Sequence, residues 1–307
     1  MEDFIRYVKI QNFKSIADLH LEDCRRINLF IGYPNVGKSN VLEALGLFSA
    51  PFLNCAEDIH KLVRFEYDRE LFYRGVANEF TIKTNLHSIR CLNADIKQLM
   101  SLKDYNSNIL RYDFRSNIQG RTTQKQLLLP PFGENIIDIL SFNKNVSDVK
   151  TWIKNELSKQ KLELVIDKAS GCLKVQERLS EDEVFQLPYS SIADTLQRVI
   201  FYKTAIASNK NSVLLFEEPE THAFPPYIAS ITQDIIEAET NQFFIVTHSP
   251  FVTNDFLEYE HLRRETSIYL FDFKDNQTTV KRLTDEEMDE VYNYGIDLFY
   301  NIESFLE

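Results

Sequence analysis

The octapeptide Gly32-Tyr33-Pro34-Asn35-Val36-Gly37-Lys38-Ser39, of the form G-x-x-x-x-G-K-S, constrains this chain more than any other segment. It stands between a nearly all-apolar run, Ile27 to Ile31, and a stretch with Val41, Leu42, Leu45 and Phe48 at helical spacing. That order predicts a buried strand, a tight glycine loop and a helix. The glycines let the backbone curl until its N–H groups point inward, while the helix turns its positive end toward the same place. Such a loop suits phosphate. Lys38 is expected to bridge the β and γ phosphates of ATP and Ser39 to ligate magnesium, with Asn35, Val36 and Asn40 completing the cradle. At a glycine frequency of about 7%, such a match arises by chance in about one chain of this length in a hundred. The alternative is an ordinary strand-to-helix turn.

Two later strand ends supply complementary chemistry. The apolar run Val213 to Phe216 ends in Glu217-Glu218-Pro219-Glu220, and the run Ile245 to Thr247 ends in His248-Ser249-Pro250. Adjacent carboxylates at a strand end point to different sides, so Glu217 is expected to serve the metal, through a water, and Glu218 the attacking water. Parallel strands open their C-terminal ends onto a common crevice, which predicts His248 beside Glu218 and near the γ-phosphate. Taken singly, an acidic turn is a solvated loop and a lone histidine a structural residue. Their pairing with Lys38 favours the catalytic reading.

Along the chain, FIRYVKIQ, ADLHLE and RINLFIG read as strands by period-two alternation. Between about Phe52 and Gln186 the texture changes to FTIKTNL and IRCLNADI as strands and NIIDIL and SDVKTWIKNELSKQ as helices. KLELVID and CLKVQERL then form a hairpin turning at Ala169-Ser170-Gly171. No repeat and no sustained heptad is present there. The last third alternates again: a helix near 190–207, strand SVLLFE, a helix from Pro226 to Glu239, strand QFFIVT, strands SIYLFDF and TTVKRL, and a helix from Asp285. The expected fold is α/β, one ATPase fold split by an insertion and divided as 1–85, an α+β insertion at 86–185, and 186–307.

Composition narrows the function. Hydrophobic residues at 44% with 23 Phe and 14 Tyr exclude a disordered chain. No apolar run approaches the roughly 20 residues that cross a bilayer, and MEDFIRYVK is unlike a signal peptide, so a cytoplasmic protein is expected. Cys24, Cys55, Cys91 and Cys172 show no zinc or disulfide spacing. Thirty-four basic against 46 acidic residues give a net charge of −12, the wrong sign for coating nucleic acid.

The order NFKSI, GxxxxGKS, a long insertion, EEPE and THSP resembles the ABC-class ATPases grouped with RecF, the SMC heads and the OLD-family proteins. It is most similar to the compact OLD-like ATPases of bacterial antiphage defence, over residues 1–85 and 186–307. The resemblance implies a two-lobed ABC-type ATPase head with a mixed sheet and ATP sites formed between two subunits, hence a homodimer or larger even-numbered assembly, each subunit presenting a signature segment to the other's γ-phosphate. The segment Ile192 to Arg198 is the candidate, with Ala193, Asp194 and Thr195 at its centre. Relatives carry a serine and a glycine there; Ser190 or Ser191 substitutes for the missing hydroxyl, or else caps an unremarkable helix. Glu217 stands where relatives have aspartate. The family's metal-contacting glutamine is not placed by Gln98 or Gln119, which leaves Tyr73-Arg74 as a stand-in.

Three readings follow: a defence ATPase controlling a separate effector protein, a RecF-like DNA-maintenance ATPase, and a nuclease in its own right. The first is favoured. The acidic total argues against the second, and no metal-binding domain follows the ATPase to support the third; the acids of TDEEMDE suit a helix start. For the effector, the stretch Leu127 to Phe132 is either an exposed contact surface or a buried loop.

Overall fold

The computed structural model describes residues 4–93, 98–99, 107–116, 123–167 and 170–306. Gln119 and Ala169 lie outside these. Strands β1 (Val8–Phe13) and β2 (Ile16–Leu21) bury alternate residues, as their period-two sequences require. β3 (Ile27–Gly32) is buried along its whole length and runs through the glycine loop into α1 (Lys38–Gly46). Short 3-10 turns lead to β4 (Glu79–Thr84), β5 (Ser88–Leu92) and β6 (Ile109–Tyr112). Then come α2 (Ile136–Phe142), α3 (Ser147–Ser158) and a meander of β7 (Leu162–Asp167), β8 (Cys172–Arg178) and β9 (Val184–Pro188). The remainder is α4 (Asp194–Ser208), β10 (Val213–Glu217), α5 (Pro225–Glu237), β11 (Gln242–Val246), α6 (Pro250–Leu257) and α7 (Glu260–Glu265). It closes with β12 (Thr266–Lys274), β13 (Gln277–Arg282), α8 (Asp285–Tyr294) and α9 (Ile302–Leu306).

These strands form three sheets. A six-stranded sheet has the order β13-β12-β3-β11-β10-β6, all parallel neighbours except antiparallel β13. An antiparallel sheet, β2-β1-β4-β5, covers one face of it, and β7-β8-β9 forms a third. The central sheet is buried on both sides. Leu214, Phe216, Phe243 and Ile245 face a core shared with α4 and α5, whereas Val213, Leu215, Phe244 and Val246 face one shared with α1 and the antiparallel sheet. Burying each such side chain contributes about 1.5–3 kcal/mol, which explains why these strands are unbroken apolar runs. One expectation needs amending, and one open choice is decided. The boundary at residue 85 falls in the turn joining β4 to β5, and β6 joins the central sheet, so 86–185 is not set apart from it. The stretch Leu127 to Phe132 is no exposed surface: Leu128, Leu129 and Phe132 are buried, and the Asn135 side chain accepts from the Leu129 N–H. Burial here repays the apolar side chains, and Asn135 together with Tyr112, whose hydroxyl donates to the Leu128 carbonyl, satisfies the backbone. Among the described residues no helix is long and apolar enough to cross a membrane.

Candidate nucleotide site

The loop after β3 is built by close backbone approaches. Gly37 has φ +101°, and a Cβ there would stand 2.0 Å from the Thr278 hydroxyl and 2.8 Å from that of Ser15. Only glycine lets α1 begin so near β13. The Ser15 and Thr278 hydroxyls lie 2.7 Å apart, and Asn40 Nδ2 donates to Ser15 Oγ at 2.7 Å, which fastens the helix start to both sheets. Lys38 folds back onto the loop, its Nζ donating to the carbonyls of Gly32 at 2.7 Å and Tyr33 at 2.8 Å. Burial draws its ammonium down to about 8 against the opposing attraction of Glu218 and Glu217.

A cavity of about 420 Å³ opens over this loop. Asn35, Gly37, Lys38, Ser39 and Asn40 line one wall; Glu217, Glu218 and His248 line another, with Lys14 and Arg64 between them. The sequence-predicted residues therefore meet, although Gly32 and Val36 support the loop without lining the space. Ala193, Asp194 and Thr195 do not line it either. Ala193 starts α4 without a side-chain cap, and Ser190 and Ser191 lie in the preceding 3-10 turn instead of capping the helix. The Thr195 hydroxyl donates to the His222 carbonyl, tying this segment to the loop after Glu218.

Glu217 ends β10 with both oxygens engaged: Oε2 lies 2.7 Å from Arg111 Nη2 and Oε1 3.2 Å from Arg64 Nη2. Burial pushes this carboxyl up, but Arg111, the Ser39 hydroxyl and Arg64 together hold it below the ordinary value. The adjoining hydroxyl of Ser39 and carboxylate of Glu217 are hard oxygen donors of the kind magnesium takes. Arg64 also reaches Glu43 Oε1 at 2.7 Å, and Lys14 pairs with the other oxygen of that fully buried acid.

Glu218 sits at φ +44°, its N–H donating to the Val246 carbonyl at 2.9 Å, so the turn after β10 is locked to β11. Its Oε1 lies 3.4 Å from His248 Nε2. Burial and then Lys38 lower the His248 imidazole, with Glu218 opposing them. Behind it, Glu220 Oε1 accepts from the Thr247 hydroxyl at 2.6 Å and the His248 N–H at 2.9 Å. Sequence reasoning missed Arg64, Arg111, Glu43 and Glu220 as site residues. Only Glu220 carried a signal, as the last acid of EEPE. Tyr73-Arg74 does not fill the missing position: the Tyr73 hydroxyl donates to the Asn276 carbonyl, and Gln98 accepts from the Leu92 N–H, both away from the cavity.

Known proteins resemble this chain in part of its sequence and in its fold. The chain is 26% identical over 170 residues to the DNA replication and repair protein RecF of Caldanaerobacter subterraneus subsp. tengcongensis, covering 49% of this chain and 46% of that one. It is 31% identical over 112 residues to the uncharacterized protein MJECL10 of Methanocaldococcus jannaschii, covering 34% and 48%. The chain thus spans about half the length of the curated relatives it matches. Among solved structures, the Smc head bound to the C-winged helix domain of ScpA superposes with a TM-score of 0.56 at 17% identity, over 92% of this chain and 99% of that one. The Pyrococcus furiosus Smc head with an extended coiled coil, bound to the C-terminal domain of ScpA, gives 0.56 at 15%, over 95% and 99%.

Fold and motifs together define an ABC-class P-loop ATPase of the RecF and SMC type. More narrowly, the chain belongs to the family described as AAA domain, putative AbiEii toxin, Type IV TA system, whose model matches residues 77–254.

Proposed function

We propose that this ATPase binds ATP with magnesium in the 420 Å³ cavity, hydrolyses it slowly, and uses the nucleotide as a dimerisation switch controlling a separate effector in antiphage defence. The observation that carries the reading is the convergence of Lys38, Ser39, Glu217, Glu218 and His248 on one cavity from three parallel strands. Lys38 exchanges its loop carbonyls for β- and γ-phosphate oxygens. Ser39, and Glu217 through a water, would hold a magnesium ion, which would supply charge neutralisation to the phosphates. Glu218 orients and polarises the attacking water, and neutral His248 positions Glu218 while contacting the γ-phosphate. Asp194 and Thr195, exposed or half-buried at the start of α4 and outside the cis cavity, are free to face a partner subunit's nucleotide. Slow turnover follows from the incomplete signature and from the arginines already on Glu217.

The family description, a putative AbiEii toxin of a Type IV TA system, supports action together with a second component, and the Smc head likeness supports the ATPase-head fold. Sedimentation of Glu218→Gln protein with and without ATP tests the switch: a dimer or larger even assembly appearing only with ATP supports it, and a monomer in both rejects it. Co-expression with the neighbouring gene tests the role, through phage protection that requires Lys38 and Glu218. The RecF similarity favours a second reading, a DNA-repair ATPase. ATP-dependent binding of duplex DNA at physiological salt would choose it, against the net charge of −12.

A further inference from the structure

A second cleft, about 330 Å³, lies across Glu217 and Glu218 from the glycine loop, and Arg64, Glu217 and Glu218 line both it and the nucleotide cavity. Five cationic side chains, Lys61, Arg64, Arg111, Arg115 and Arg198, face three carboxylates, Asp113, Glu217 and Glu218. In a chain of net charge −12 this surplus is local and concentrated. Three of the cations are already engaged: Lys61 with Asp58 and Glu134, Arg64 with Glu43 and Glu217, Arg111 with Glu217.

Arg115 and Arg198 are different. Neither has a carboxylate within 4.0 Å among the described residues. Each guanidinium lies over an aromatic ring instead, that of Arg115 at 3.6 Å from the Phe132 centroid and that of Arg198 at 4.9 Å from Phe114. Asp194 borders the same outer opening, yet its nearest charged partner is His222 at 4.0 Å. Contact with a ring fixes the plane of a guanidinium and strips water from one face, while its N–H edge stays available for oxygen. Two such forks beside one cleft match a tetrahedral oxyanion. The cleft has too little apolar wall, only Leu62 and Val63, to hold a base.

We propose that Arg115 and Arg198 form a second phosphate subsite, which receives the phosphate cleaved from ATP as it leaves past Glu218. This rests on the proposed placement of ATP in the neighbouring cavity. The cleft begins where the γ-phosphate would lie and opens to solvent at Arg115, so the product can leave while ADP still fills the loop.

The test is titration of inorganic phosphate into protein saturated with ADP, and into nucleotide-free Lys38→Ala protein, by calorimetry. The subsite predicts saturable binding of one phosphate in both, weakened at least about fivefold by Arg115→Met or Arg198→Met with ADP affinity retained. Arg115→Lys and Arg198→Lys, which keep the charge and the stem, lose the fork and weaken it too, covering the case in which a methionine variant does not fold. Absence of saturable binding, or equal affinity in all variants, overturns the subsite. If single-stranded DNA displaces the phosphate and loses its own binding in the same variants, the product source is overturned. Failure of ADP to bind, with arginine-dependent phosphate binding intact, refutes the ATP reading and keeps the subsite.

Discussion

Arg111 and Glu217 meet between neighbouring strands, Nη2 2.7 Å from Oε2, joining the charged residue of β6 to the last residue of β10. The arginine side chain is only 4% exposed and the glutamate 16%. A guanidinium so buried is stable only while its partner is present, and the Leu62 carbonyl accepts from its Nη1.

Replacing Arg111 with methionine leaves Glu217 short of its buried counter-charge. The expected loss is about 3 kcal/mol, read as a lower urea midpoint with unchanged slope. A midpoint equal to that of the unmodified protein would show that the pair contributes nothing net.

Glu220 is expected to act on catalysis through His248, as a positioning residue. Its Oε1 holds the Thr247 hydroxyl and the His248 N–H, and its Oε2 is buried without a partner among the described residues. Glu220→Ala should therefore release the end of β11 and lower kcat about tenfold or more, with ATP affinity within about threefold. Loss of ATP binding instead would place Glu220 in the nucleotide pocket.

His248 should be neutral throughout the neutral range, because burial and Lys38 hold it below its ordinary 6.5. Since kcat/KM reports the free enzyme, its His248-dependent decline should begin only below about pH 6.5 and be absent in His248→Gln. The same shift makes protonation unfavourable to folding: the group's contribution is intact above 6.5 and falls as pH drops through that value toward the lower folded one. An acid limb centred above pH 7 and abolished in His248→Gln would contradict this environment.

The thiols test the fold independently of nucleotide. Cys24 is half-buried, with desolvation pushing its thiol up to about 12, and Cys91 is fully buried on β5. Cys55 and Cys172 are exposed. A disulfide reagent at pH 8 should titrate these two in the native protein and all four after denaturation. Rapid reaction of Cys91 in the native state would show that the antiparallel sheet is packed otherwise, and rapid reaction of Cys24 that its contact with Tyr269 is not made.

What was legible in the sequence was local. The glycine loop announces itself within eight residues, and β3, β10 and β11 are apolar runs whose ends carry the chemistry. β6 was invisible because its four residues include Arg111, which reads as a solvent-facing charge until Glu217, 106 positions away, is seen beside it. Arg64 and Glu43 escaped for the same reason, since their pairing depends on the 3-10 turns folding back over α1. β9 went unread because Val184 to Pro188 is short and mostly exposed. Leu127 to Phe132 left two readings open, and only the packing of its leucines on the core decided between them.

The most direct test of the account is a pair of nucleotide titrations on Lys38→Ala and Glu218→Gln, each followed by phosphate release under single-turnover conditions. Lys38→Ala should weaken ATP binding by about a hundredfold or more, whereas Glu218→Gln should bind within about threefold of the unmodified protein and hydrolyse at least about a hundredfold more slowly. ATP bound by Lys38→Ala as tightly as by the unmodified protein, or equal loss of binding in both variants, would contradict it.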